Sequence, residues 1–123
     1  MCIRDRQYGV QTVYGVQNGY SGFKNWQRDA VKMDSKFVYE IQRKGGTVLR
    51  SSRGGHDTAK ICDALEAHEV NMLFVIGGDG TMKGACKIDA EMNKRGKKCV
   101  VCCVPKTIDN DVPVGEELQG PFN

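Results

Sequence analysis

A chain of 123 residues, 40% hydrophobic and 27% charged, suits one modest globular domain and excludes a disordered or fibrous one. No run approaches the roughly 18–20 apolar residues of a membrane span, and the N-terminus lacks the apolar centre of a secretory signal. The net charge of +3 is unevenly spread: residues 1–60 carry eleven Lys/Arg against five Asp/Glu, and residues 61–123 seven against ten.

Residues 1–6 carry no pattern. A strand is predicted over 12–16, ending in the turn-rich Gln17-Asn18-Gly19-Tyr20-Ser21-Gly22. A helix is predicted within 34–44, capped by Asp34 or Ser35, with Phe37, Val38 and Ile41 as its apolar stripe and Gly45 as its stop. Residues 47–49 read as a short strand leading into the polar turn Ser51-Ser52-Arg53-Gly54-Gly55. A helix follows over about 58–69, with Ile61, Leu65 and His68 on one face. The unbroken apolar run Met72-Leu73-Phe74-Val75-Ile76 reads as a strand buried on both sides of a parallel sheet. After Gly77-Gly78-Asp79-Gly80-Thr81, a helix is predicted over 81–95, with Ala85, Ile88 and Met92 inward. A second buried strand runs over 99–104, and Pro105 ends it.

Strand, helix and strand in repeated order predict an α/β fold with a doubly wound, mainly parallel sheet. In such a fold the strand-to-helix loops share one sheet edge, where ligands bind. Arg53, the 77–81 loop and the loop after Val104 are therefore expected at one crevice. Six cysteines without a secretory signal read as free thiols in a reducing cytosol, packed as small apolar side chains. Cys99-x-x-Cys102 has no second pair to complete a metal site. Aromatic residues are 7% and do not interleave with basic clusters, so no nucleic-acid partner is expected.

Two loops carry chemistry. Three glycines in the 77–81 loop let phosphate oxygens approach backbone N–H groups at a helix N-terminus. Asp79 inside such an anion site reads as a Mg²⁺ ligand; the alternative is a glycine-rich turn in which Asp79 caps the helix. In Pro105-Lys106-Thr107-Ile108-Asp109-Asn110-Asp111, extended backbone points Thr107, Asp109 and Asp111 one way. One carboxylate can then take a proton from a substrate hydroxyl, and Lys106 offers a compact charge to phosphate. By itself the run also reads as a polar turn. On consecutive strands, the two loops together point to phosphoryl transfer.

These two motifs resemble the 6-phosphofructokinase family. The likeness extends through Gly45-Gly46-Thr47-Val48-Leu49, Ser51-Ser52-Arg53 and Asn18-Gly19-Tyr20-Ser21-Gly22, over about residues 8–115. The glycine motif is shared with NAD kinases and diacylglycerol kinases; the Thr107–Asp111 run is the specific part and argues against an NAD-kinase-like enzyme. The resemblance implies ATP and Mg²⁺ as cofactors and fructose 6-phosphate as substrate. It makes Asp109 the base for the sugar 1-hydroxyl, Thr107 a contact of sugar and phosphoryl group, and Asp111 a supporting carboxylate. It assigns Asp79 to Mg²⁺, and Gly78, Gly80, Thr81 and Lys106 to the phosphates. It also puts Arg53 on the nucleotide phosphates and Tyr20 beside the nucleotide, where a packing aromatic is the other reading.

Pyrophosphate-using members tend to carry Asp at the position of Gly80, where it would crowd and repel the α-phosphate of ATP. Gly80 with Lys106 resembles the ATP-dependent enzymes of plants and some protists. The runner-up readings are a pyrophosphate-dependent enzyme and a non-catalytic nucleotide-binding fragment. Residues 1–7 are set apart as an unmatched segment, read as a junction artefact, and 8–123 as part of a nucleotide-binding domain. The family's first strand with its phosphate loop, and its sugar-phosphate half, are not found in the sequence. The isolated chain is accordingly expected to be poorly stable and inactive, with the activity belonging to a longer, cytoplasmic, tetrameric parent.

Overall fold

A computed structural model describes residues 9–106, so Thr107, Asp109, Asp111 and the 1–7 segment lie outside the described residues. The chain divides between Asp57 and Thr58 into two compact units.

In the first unit, β1 (Tyr14–Val16) pairs antiparallel with β2 (Ala30–Lys32), Gly15 facing Val31. A 3₁₀ turn (Gly19–Asn25) and the one-turn helix α1 (Trp26–Asp29) connect them. Asn18 enters the turn at φ 62°, a left-handed conformation that Asn tolerates. Trp26 gathers the local aromatics, edge-on to Tyr14 at 5.6 Å and tilted against the buried Phe23 at 5.9 Å. Buried Asp29 accepts two hydrogen bonds from the Arg28 guanidinium, at 2.8 and 2.9 Å. Those bonds hold its carboxyl below the ordinary carboxylate range.

The predicted 34–44 helix is broken. Asp34 caps a single turn, α2 (Ser35–Val38), by accepting the Phe37 N–H at 2.7 Å. Tyr39 is then extended, Glu40 is left-handed at φ 59°, and a 3₁₀ turn (Ile41–Arg43) follows. Phe37, Val38 and Ile41 are only half-buried, and a short helix without a buried stripe does not sustain itself. The predicted 47–49 strand is a turn. One ladder-like bond forms, from the Asn18 N–H to the Leu49 carbonyl at 2.9 Å, before left-handed Arg50 redirects the chain.

The second unit contains α3 (Thr58–Ala67), β3 (Met72–Gly77), α4 (Asp79–Lys94) and β4 (Val100–Pro105). β3 and β4 are parallel, from Met72 opposite Val100 to Gly77 opposite Pro105. The unit is thus a βαβ crossover through α4, as the alternating pattern predicts. Ile61, Cys62 and Leu65 of α3 meet Met82, Ala85, Ile88 and Met92 of α4 and Val75 and Val101 of the strands in one core. Full burial of a side chain such as Leu65 or Ile88 contributes about 1.5–3 kcal/mol.

Helix α4 ends in a Schellman arrangement: left-handed Gly96 donates to Asn93 and Lys97 to Met92, at 3.0 and 3.1 Å. Arg95, at this end, ties α4 to α3. It donates to Glu91 at 3.0 Å, Asp63 at 2.7 Å and Glu66 at 3.3 Å. The expectation that β3 is buried on both sides fails. Val75 faces the helices, whereas Met72, Phe74, Ile76, Val100 and Val104 are exposed. An apolar run without alternation suits two covered faces, and within this unit α4 covers one.

Candidate functional site

Strand β3 runs straight into α4. Gly77 is its last residue, Gly78 the helix N-cap in extended conformation, and Asp79 the first helical residue. Asp79 therefore does not cap the helix; its carboxylate sits in the first turn, where the helix dipole favours it. The glycines are not equivalent. A Cβ on Gly77 would lie 2.7–2.8 Å from the Thr81 side chain, closer than real atoms approach. Gly77 is therefore fixed by the packing of Thr81 back onto the strand. A Cβ on Gly80 would meet nothing within 4 Å. No neighbour within the described residues requires glycine at 80.

Beside this loop, β4 ends in step. The Lys106 N–H donates to the Gly77 carbonyl at 2.7 Å, and the Lys106 carbonyl lies 3.8 Å from where a Gly78 Cβ would be. Gly78, Asp79, Gly80, Thr81 and Lys106 are thus gathered at the carboxyl ends of two adjacent parallel strands. The Lys106 side chain is exposed. Thr107, Asp109 and Asp111 continue from it and lie outside the described residues.

Asp79 is about one-third exposed and pairs with Lys83, one turn along α4, at 3.1 Å. Among the described residues no cluster of three or more His, Cys, Asp or Glu could hold a metal ion. A single reachable carboxylate nonetheless fits Mg²⁺, which commonly takes one or two carboxylates and completes its shell with water and phosphate oxygens. Lys83 was not singled out from the sequence; the Asp-x-x-x-Lys spacing is the signal that finds it.

Tyr20 and Arg53 belong to the other unit. There the 17–22 turn and the 51–55 loop are stitched together: Ser52 Oγ donates to the Asn18 carbonyl at 2.8 Å and lies 2.9 Å from Ser21 Oγ. Arg53 is exposed next to Ser52. The Tyr20 ring stands edge-on to His56, centroids 4.7 Å apart, a contact of the kind the packing reading of Tyr20 expects, with a partner that reading did not name.

The cysteines divide by position. Cys62 and Cys99 are buried, Cys86 and Cys103 half-buried and Cys102 exposed. Burial pushes the Cys62 thiol up to about 11 and raises those of Cys99 and Cys103. These are poor nucleophiles, in keeping with a packing role.

The family model for phosphofructokinase matches residues 2–120. The chain belongs to the phosphofructokinase family. ATP-dependent 6-phosphofructokinase 1 of Arabidopsis thaliana is 45% identical to this phosphofructokinase chain over 120 residues, 98% of the chain and 25% of that protein. The ATP-dependent 6-phosphofructokinase of Trypanosoma cruzi is 46% identical over 114 residues, 92% of this chain and 24% of its own length. This phosphofructokinase chain spans about a quarter of the length of the curated relatives it matches. Two solved structures share its α/β fold. The T-state phosphofructokinase of Pichia pastoris has TM-score 0.75 at 20% identity, over 88% of this chain and 13% of that one. The pyrophosphate-dependent phosphofructokinase of Marinobacter aquaeolei has TM-score 0.76 at 24% identity, over 89% and 28%. The chain is an incomplete phosphofructokinase α/β domain, with β3–α4–β4 as its parallel unit. Among the described residues no helix is long and apolar enough to cross a membrane.

Proposed function

We propose that the chain carries the nucleotide-binding part of a 6-phosphofructokinase, which transfers the γ-phosphoryl group of ATP to the 1-hydroxyl of fructose 6-phosphate. The carrying observation is the bond from the Lys106 N–H to the Gly77 carbonyl, at the end of the parallel pair. It starts the glycine loop and the Lys106–Asp111 run from adjoining points at the edge where α/β sheets bind ligands.

In this reading the N–H groups of Gly78, Gly80 and Thr81 receive the ATP phosphates at the N-terminus of α4. Lys106 adds positive charge to the same phosphates; Arg53 and Tyr20 keep the nucleotide-binding roles that the family resemblance gives them. Asp79 holds Mg²⁺. Bound there, the ion neutralises charge on the phosphoryl oxygens. Asp109 takes the proton from the sugar 1-hydroxyl as that oxygen attacks the γ-phosphorus, whose bond to the β,γ-bridging oxygen breaks so that ADP leaves. Thr107 contacts sugar and phosphoryl group, and Asp111 supports the arrangement.

Two observations favour ATP over pyrophosphate. Open space around Gly80 leaves room for an α-phosphate, and the relatives at 45–46% identity are named ATP-dependent. A cytoplasmic homotetramer is proposed on family resemblance alone; one plant relative of 45% identity is named chloroplastic. The test is fructose 1,6-bisphosphate formation by the full-length protein with ATP or pyrophosphate as donor. Turnover with ATP supports the reading. Turnover with pyrophosphate only overturns the donor, and none with either leaves a nucleotide-binding protein without catalysis.

A further inference from the structure

The Asp79–Lys83 pair has a consequence for how the site is loaded. Lys83 Nζ lies 3.1 Å from Asp79 Oδ2, and its side chain is two-thirds exposed. Asp79 is the carboxylate proposed above for the divalent cation, and no other cation is paired with it among the described residues. Two cations do not share one carboxylate oxygen cheaply, so the ammonium and the metal compete for Asp79. An exposed i,i+4 pair is weak enough to be exchanged, since such pairs shift an equilibrium only about twofold.

We propose that Lys83 is the resident counter-ion of Asp79, neutralising it while the site is empty and being displaced when the nucleotide brings its divalent cation. This rests on Asp79 being the cation ligand. Lys83 is a positioning residue acting through Asp79. Without metal it screens Asp79 from incoming phosphates, which the bare carboxylate would repel. With metal present it is a competitor. Both effects reduce the gain in nucleotide affinity that the metal confers, and losing Lys83 enlarges that gain.

The experiment is calorimetric binding of a non-hydrolysable ATP analogue, AMP-PNP, to the full-length protein with and without Mg²⁺. The measured quantity is the ratio of the two affinities. Lys83→Met keeps helix propensity and removes the charge. It is expected to raise the ratio about twofold, the amount by which an exposed i,i+4 pair shifts an equilibrium. Lys83→Arg is expected to keep the wild-type ratio. A Lys83→Met variant whose affinities fall equally with and without Mg²⁺ shows a direct phosphate contact and overturns the proposal, as does an unchanged pair of affinities. Asp79→Asn separates the underlying reading: it should collapse the ratio. If Asp79→Asn leaves the ratio unchanged, Asp79 is not the cation ligand and the proposal falls with that reading. A collapse with Asp79→Asn beside no change with Lys83→Met overturns the Lys83 role alone.

Discussion

The backbone N–H of Lys106 donates to the carbonyl oxygen of Gly77 at 2.7 Å, carrying the parallel ladder one step past the facing pair of Gly77 and Pro105. That single bond fixes where the chain leaves β4 relative to where it leaves β3. Parallel ladders are evenly spaced and slanted, so a slip of one residue would turn the next side chains to the opposite face. The glycine loop and Lys106 are consequently held in one relative position by backbone geometry, before any side chain contributes.

Gly80 is the position where donor choice can be separated from stability. A Cβ there meets nothing within 4 Å, so Gly80→Asp should fold with a melting temperature near that of the parent. Its carboxylate would stand where the α-phosphate is proposed to sit. The expected outcome is a loss of ATP-driven turnover of about tenfold or more from one uncompensated like charge near phosphate. Steady-state kinetics with ATP, set beside a thermal melt, checks both halves.

Gly77 makes the opposite case. Gly77→Ala pushes a methyl group to within 2.7–2.8 Å of Thr81, and overpacking of this kind costs about 1–3 kcal/mol. Gly80→Ala, three residues away and without a neighbour to strike, should change stability by less than about 1 kcal/mol, in the stabilising direction expected of Ala in a helix. Denaturant unfolding of the two variants measures the contrast.

The second unit was legible because its signals are long. A six-residue apolar strand, a glycine stop and a sixteen-residue helix leave few alternatives, and β3, α4 and β4 appear within two residues of their predicted bounds. The first unit was legible only at β1, predicted over 12–16, and at the turn after it. Three-residue β2 is too short to show a period, and the stripe of Phe37, Val38 and Ile41 lacked a surface to cover it. Residues 47–49 have strand composition, yet the ladder there amounts to one bond to Asn18. In the site, glycines at a strand–helix junction were readable from spacing. Asp79 as cap was not borne out, because Gly78 takes that position and Asp79 begins the helix. The Tyr20–His56 contact joins residues 36 apart in sequence and left no local trace.

Arg95 is expected to matter to stability out of proportion to its position near the surface. It reaches three carboxylates, two of them on α3, with its own side chain only 23% exposed. Arg95→Ala should lower stability measurably, because it strips Asp63, Glu66 and Glu91 of one shared partner and unties α4 from α3. Arg95→Lys should recover part of it, since an ammonium lacks the planar fork. Chemical denaturation of both variants checks the order.

Stability should fall in alkaline solution. Burial raises the Cys62 thiol to about 11 from an ordinary value of 9.0, and Cys99 and Cys103 shift the same way. Between those values the unfolded chain releases a proton that the folded chain keeps, so stability is lost as pH rises from about 9 towards about 11. Melting temperatures across that window should decline, and Cys62→Ala should make the decline shallower than in the parent.

The central claim is that the loop after β3 and the run after β4 form one phosphoryl-transfer site, with Asp109 taking the proton. It is tested most directly by steady-state kinetics of Asp109→Asn in the full-length protein with ATP and fructose 6-phosphate. The account predicts that kcat falls about 10²- to 10⁴-fold, the usual contribution of a general base, with an unchanged melting temperature. A variant that turns over within about threefold of the parent would contradict it, because no positioned general base is so dispensable.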